Sequence, residues 1–201
     1  MVVIGVTGGL ATGKSTVAGL FKKHGAKVLD ADKIAHRLMK RGQPCFRPVV
    51  KRFGKDILTG GRIDRAKLSR IVFKDRTRLK ALTRIVHPSV VREIRKEVIR
   101  VSRSRKQPVV IDAPLLIEAG LDRIVDWLIV VKAPRQVQLK RAGTRGGMTP
   151  NEALCRISTQ MPLKEKIKRA DAVIDNGANL LKTEKQVEAI WQRILRVKQQ
   201  K

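Results

Sequence analysis

Residues Gly5–Phe21 read GVTGGLATGKSTVAGLF, which puts Gly8, Gly9 and Gly13 close together and Lys14-Ser15-Thr16 directly behind them. Glycine at this density costs conformational entropy on folding, so the backbone here must take a path or an approach that side chains would obstruct. In front of the glycines, Val2, Val3, Ile4 and Val6 form the short apolar run of a buried strand. Behind them, Val17, Leu20 and Phe21 recur at helical spacing, and Gly25 supplies a C-terminal stop. A strand that turns through glycines into a helix aims backbone N–H groups at one place and favours negative charge there.

The spacing Gly8-x-x-x-x-Gly13-Lys14-Ser15 is that of a phosphate-cradling loop. On this reading Gly9, Ala11, Thr12, Gly13, Lys14, Ser15 and Thr16 surround the phosphates of a nucleotide. Lys14 reaches the β- and γ-phosphates, and the Ser15 hydroxyl ligates Mg²⁺.

Four later segments repeat the strand pattern. Val28-Leu29 run into Asp30 and Asp32, and Val109-Val110-Ile111 run into Asp112. Leu128–Val131 and Val173-Ile174 complete the set, the last ending at Asn176-Gly177. Short continuous apolar runs separated by helical stretches predict an α/β fold with a five-stranded parallel sheet buried on both faces. Ligands of such sheets bind beyond the carboxyl ends of the strands, where these acids and the glycine loop lie.

Two stretches break the alternation. Lys40 to Lys106 is too long for one crossover and predicts several amphipathic helices, with Leu68, Ile71 and Val72 on one and Val90, Val91, Ile94 and Val98 on another. His87 before Pro88 reads as a helix N-terminus. Gln136 to Arg169 carries Arg141, Arg145 and Gly146-Gly147, and Thr149-Pro150-Asn151-Glu152 opens a helix as a capping box. A helical arm with arginines and a glycine hinge is the pattern of a mobile lid. The expected division is a core of 1–39, 107–135 and 170–201, a helical substrate domain at 40–106 and a lid at 136–169.

No run approaches the roughly 18 apolar residues of a membrane span, and no basic leader precedes the first strand. Cys45 and Cys155 stand far apart, without metal-ligand spacing. Free thiols in a reducing compartment, the cytoplasm, are expected. The 45 Lys and Arg against 17 Asp and Glu give a formal charge of +28, a field that attracts polyanions. The charge is dispersed: between Arg62 and Lys106, 16 basic and four acidic residues are spaced like the polar faces of helices. With four Phe, two Trp and no Tyr, aromatic platforms for stacking bases are nearly absent.

Taken in order, "TGGLATGKSTVA", "VLDADKIAH", "GGRIDRAKL", Val72-Phe73, His87-Pro88, "DAPLLIEAG", "QLKRAGTRGGMT", "RISTQMP" and "ADAVIDNG" resemble the dephospho-coenzyme A kinases across nearly the whole chain. The glycine loop is shared by many families, whereas the "DAD", "PLLIE", "GGMT" and "QMP" pieces are far more specific. The resemblance implies a P-loop core with a helical substrate domain and a lid. It also implies transfer of the γ-phosphoryl of ATP, with Mg²⁺, to the ribose 3′-hydroxyl of dephospho-coenzyme A, the last step of coenzyme A synthesis.

The resemblance places the catalytic carboxylate at Asp32, the acceptor of the 3′-hydroxyl proton. Local sequence alone also allows Asp32 to cap the helix near Lys33, with Asp30 as the alternative cap. Asp112 stands either as a holder of Mg²⁺ or its waters, or as a simple loop starter. Arg141 and Arg145 stand as a phosphate clamp that acts when the lid closes, against the plain reading of solvated charge. Asn176 either borders the adenine or forms a turn with Gly177. Two departures from the family pattern stand out: Ala11-Thr12 where glycine-serine is usual, and His36 where many members carry arginine, with Arg37 beside it. The rival readings are a nucleoside or nucleotide kinase of the same architecture and a nucleic-acid-binding NTPase or adaptor. The expected partners are ATP and dephospho-coenzyme A, with no specific nucleic acid and no membrane, in a monomer or small homo-oligomer.

The dispersed charge predicts sequence-indifferent binding of random-sequence DNA at low ionic strength, fading steeply toward about 0.15 M salt. Fluorescence anisotropy across a salt series measures it. Nanomolar, sequence-selective binding that persists at the higher salt would favour the adaptor reading.

Overall fold

The computed structural model describes residues 1–73, 75–104 and 107–199, and of these all side chains but those of residues 145, 146, 198 and 199. Lys106, the expected end of the helical insertion, lies outside the described residues. The chain divides into two compact units, Met1–Leu29 with Val98–Lys201, and Asp30–Glu97.

In chain order the elements begin with β1 (Val3–Gly8), α1 (Lys14–Lys23) and β2 (Lys27–Asp30). The second unit follows with α2 (Ala31–Leu38), α3 (Phe46–Phe53), β3 (Leu58–Thr59), β4 (Arg62–Ile63), α4 (Arg65–Phe73) and most of α5 (Arg76–Ser104). The chain then returns through β5 (Val109–Asp112), β6 (Trp127–Lys132), α6 (Arg135–Gly146), α7 (Pro150–Ser158), α8 (Leu163–Lys168), β7 (Ala172–Asp175) and α9 (Leu180–Gln199).

The apolar runs become the five-stranded parallel sheet, in the order β2-β5-β1-β6-β7. β1 is central and buried along its whole length, paired with β5 from Val3↔Val109 to Val6↔Asp112 and with β6 from Ile4↔Trp127 to Gly8↔Val131. A strand flanked on both sides and covered on both faces has no polar face, which is why it reads as an unbroken apolar run. β7 is an edge strand, and there the alternation returns: Ile174 is buried while Val173 and Asp175 are exposed.

One face of the sheet is closed by α1 and α9. Val17 and Phe21 from α1 meet Val187, Trp191 and Ile194 from α9 over Ile4, Val6, Ile129 and Val131. The Phe21 and Trp191 ring centroids are 6.1 Å apart in a tilted pair, a geometry favoured by the aromatic quadrupole.

The second unit departs from the sequence expectation at two places. It is not wholly helical, because β3 and β4 form an antiparallel hairpin around Gly60-Gly61. Both glycines have positive φ, 57° and 72°, as the tight turn between such strands requires. His87-Pro88 does not open a helix but lies inside α5, which runs on through it. Proline deprives the Arg84 carbonyl of its helical donor, but Arg84 and Pro88 are both exposed, so water meets the loss. Val86, Val90 and Ile94, buried on the opposite face, hold the helix together across the break.

Candidate functional site

The glycine loop occupies the exit from the central strand. A Cβ on Gly8 would collide with the Val131 carbonyl of β6, so the strand can turn there only as glycine. The loop is then folded on itself: Thr12 Oγ1 donates to the Gly9 carbonyl at 3.0 Å, and Lys14 Nζ donates to the same oxygen at 2.9 Å. Ala11 has φ 53°, the only positive φ outside glycine among the described residues. Gly13, at φ 90°, is the N-cap of α1.

No side chain caps α1, and its first turn holds no acidic residue. The Thr16 and Val17 N–H groups turn back to the Gly13 carbonyl at 3.0 and 3.1 Å, and the positive end of the α1 dipole favours an anion in front of that turn. Ser15, exposed, and Thr16 stand in this first turn.

Arg141, on α6, reaches the same place. Its Nη1 lies 3.7 Å from where a side chain on Gly13 would begin, is buried, and has no acceptor within the described residues. A buried cationic donor with no acceptor is expensive unless an anion completes it. This atom and the uncapped helix together fit a phosphate group. Arg145 is on the same helix, but its side chain lies outside the described residues. Asp112 is buried at the end of β5, level with Val6 of β1. Among the described residues there is no cluster of three or more metal-ligating side chains. Mg²⁺ needs none, since it keeps waters and takes one or two protein oxygens beside substrate phosphates.

Asn176 follows β7 and is buried against the loop. Its Nδ2 donates to the Thr12 carbonyl at 2.8 Å, and its Oδ1 accepts from Thr183 Oγ1 at 2.9 Å. A Cβ on Gly13 would run into the same Nδ2.

In the second unit, Asp30 is the helix cap: its Oδ1 accepts from the Lys33 N–H at 2.9 Å. Asp32 stands exposed in the first turn of α2. His36 lies one turn further along. Burial and the nearby Arg65 charge lower its pKa from the ordinary 6.5, against the pull of Asp32 and Asp30. Arg37 is held by Glu93, with Nη2 2.8 Å from Oε1.

The expected lid is built as α6, a left-handed Gly147 and α7. Thr149 and Glu152 form the capping box: the Glu152 N–H donates to Thr149 Oγ1 at 3.3 Å, and the Thr149 N–H donates to Glu152 Oε2 at 2.9 Å.

Sequence reasoning missed Lys166. On α8 it is fully buried, with Nζ 2.6 Å from the Pro114 carbonyl and 3.0 Å from Glu118 Oε1. The Pro114 carbonyl also accepts from Thr7 Oγ1 at 3.3 Å, one residue before the glycine loop. Glu118 Oε1 accepts from the Met161 N–H at 2.9 Å as well. This gives the "PLLIE" and "QMP" pieces a physical reason, because one carboxylate joins them. Burial pushes the Lys166 pKa below the usual lysine value, with Glu118 opposing. A lysine inside a charged, amphipathic hexapeptide gave no warning of burial; its spacing from the "QMP" piece was the available signal.

A family model described as dephospho-CoA kinase matches residues 2–182. A dephospho-CoA kinase from Carboxydothermus hydrogenoformans is 46% identical over 192 residues, covering 95% of this chain and 93% of that protein. Among solved structures, a Thermus thermophilus protein is similar with a TM-score of 0.77 and 36% identity, covering 96% of this chain and 97% of the other. The dephospho-CoA kinase from Campylobacter jejuni follows with a TM-score of 0.68 and 28% identity, covering 96% of each chain.

Lys166→Met removes one partner of the buried pair and strands Glu118, and is expected to cost about 3 kcal/mol in urea unfolding. Adding Glu118→Gln, which removes the stranded charge and keeps an acceptor for Met161, is expected to restore part of that loss. Unchanged stability in the single variant would mean that the pair does not hold the two segments together.

Proposed function

This chain belongs to the dephospho-CoA kinase family, and from that premise we propose that it transfers the γ-phosphoryl of ATP to the ribose 3′-hydroxyl of dephospho-coenzyme A. The observation that carries the reading within this chain is the buried Arg141 Nη1, without an acceptor among the described residues, against a glycine loop whose helix has no side-chain cap.

Bound MgATP supplies the phosphoryl group and the metal charge that neutralises it. The protein's part is positioning and charge. The loop from Gly9 to Thr16 directs its N–H groups to the phosphates. Lys14, which donates to the Gly9 carbonyl here, turns its ammonium to the β- and γ-oxygens. Ser15 and Asp112 hold Mg²⁺ or its waters. Arg141, with Arg145, meets the charge that develops on the transferring group. Asp32 accepts the 3′-hydroxyl proton; the capping by Asp30 supports this, since it leaves the Asp32 carboxylate uncommitted to the helix. The segment 40–106 serves as the substrate domain and 136–169 as the lid, with Gly147 at the bend between α6 and α7. Cys45 and Cys155, which form no disulfide, support a reducing compartment, the cytoplasm. No helix among the described residues is long and apolar enough to cross a membrane.

Mass spectrometry after incubation with MgATP and an equimolar mixture of dephospho-coenzyme A, AMP and adenosine is expected to show coenzyme A as the main product. AMP or adenosine phosphorylation without coenzyme A would overturn the assignment.

Asp32→Asn keeps the shape of the side chain and removes its capacity to take a proton. Turnover is expected to fall by about 10²–10⁴ with nucleotide affinity near normal. Turnover within a few-fold of the parent would retire Asp32 as the base.

A further inference from the structure

We propose that Asn176, oriented by Thr183, is a positioning residue that sets the phosphate loop in its binding form before nucleotide arrives. The inference rests on the reading of residues 9–16 as a phosphate site.

The geometry starts from the peptide unit between Thr12 and Gly13. It is trans and planar, so its C=O and its N–H point in opposite directions. Asn176 Nδ2 takes the Thr12 carbonyl at 2.8 Å. Fixing that oxygen on the Asn176 side turns the Gly13 N–H to the other side. Left unheld, the same peptide can flip and present its oxygen where an anion must bind, which repels phosphate. The side-chain amide therefore decides whether this unit of the loop offers a donor or an acceptor.

The amide is itself fixed. Thr183 Oγ1, fully buried in the first turn of α9, donates to Asn176 Oδ1 at 2.9 Å. The Thr12 carbonyl can only accept, so it takes the NH₂ end of the amide, and the Thr183 hydroxyl, also 3.4 Å from the Asn179 carbonyl, holds the oxygen end in place. The backbone on either side is also tied. The Asn176 N–H donates to the Lys132 carbonyl at 2.9 Å, and Asp175 Oδ1 accepts from the Gly177 N–H at 2.8 Å. Gly13 completes the arrangement, since any side chain there would collide with the Asn176 amide and its φ of 90° suits glycine alone. The loop is thus fastened from the far end of the chain, and the glycine of the motif is needed partly to admit the fastener.

The test uses the full chain and two probes with Mg²⁺, a non-hydrolysable ATP analogue and inorganic tripolyphosphate, with dephospho-coenzyme A titrated separately as a control. Thr183→Val keeps the shape of the side chain and removes the hydroxyl. Its Kd for both phosphate probes, measured by calorimetry, is expected to rise about tenfold, the scale of one lost buried hydrogen bond. Thr183→Ser restores the hydroxyl and is expected to return both values to within about twofold. Asn176→Asp replaces the donor facing the Thr12 carbonyl with a carboxylate oxygen and is expected to weaken both probes more than Thr183→Val does. Dephospho-coenzyme A affinity is expected to hold in all folded variants. Variants that bind both probes as the parent does would overturn the proposal. So would a loss confined to the ATP analogue, which makes Asn176 a contact to the base, or a parallel loss for dephospho-coenzyme A, which makes the pair merely structural. A parent chain that binds neither probe would overturn the phosphate-site reading itself.

Discussion

The demand that organises the first unit is that a buried central strand pass into a helix within a few residues and present the positive end of that helix beside the loop. The path of the loop is held from three directions. Gly8 lets the chain leave β1 beneath the Val131 carbonyl, and Thr12 and Lys14 gather on the Gly9 carbonyl. Asn176 holds the Thr12 carbonyl from the β7 side. On the β5 side, Thr7 shares the Pro114 carbonyl with Lys166. Helix α8 and the strand beneath the loop are therefore tied to one backbone oxygen.

How much of this was legible follows from the range of each interaction. The three central strands, β5, β1 and β6, were readable because burial on both faces leaves an apolar run with no competing pattern. The capping box at Thr149 and the stop at Gly25 were readable because such signals act over three or four residues. The β3–β4 hairpin escaped because its strands are two residues each, too short for any alternation, although Gly60-Gly61 was its turn signal. His87-Pro88 misled because local sequence prices the lost hydrogen bond but not the buried Val86, Val90 and Ile94 that hold α5 together. Lys166, and the contact of Asn176 with the loop, lay beyond local reading. Their partners are 52 and 164 residues away, at Pro114 and Thr12.

The acid at position 32 shows how one local interaction frees another residue. Two aspartates separated by one residue compete for the cap of α2, and sequence does not choose between them. Asp30 takes the Lys33 N–H and a salt bridge to Lys33 Nζ at 3.5 Å, so its carboxylate is spent on structure. Asp32, in the first turn, faces solvent. His36 below it is kept toward its neutral form by burial and by Arg65. The permanent positive charge is next door, on Arg37, and Glu93 already engages it.

Ala11 takes a left-handed backbone without being glycine, and the energetics say why the loop survives it. Its φ of 53° is a left-handed conformation, which costs an L-residue with a Cβ about 1–2 kcal/mol. Glycine would remove that strain, but it would also enlarge the freedom of the unfolded chain, a loss of about 0.4–1 kcal/mol. The net penalty of alanine therefore lies between about 0 and 1.6 kcal/mol, small beside the about 5–15 kcal/mol that typically holds a domain together. The methyl group also narrows the conformations open to the loop before ligand binds. Where Asn176 already fixes the next peptide but one, a stiffer Ala11 leaves less ordering to be done when phosphate arrives.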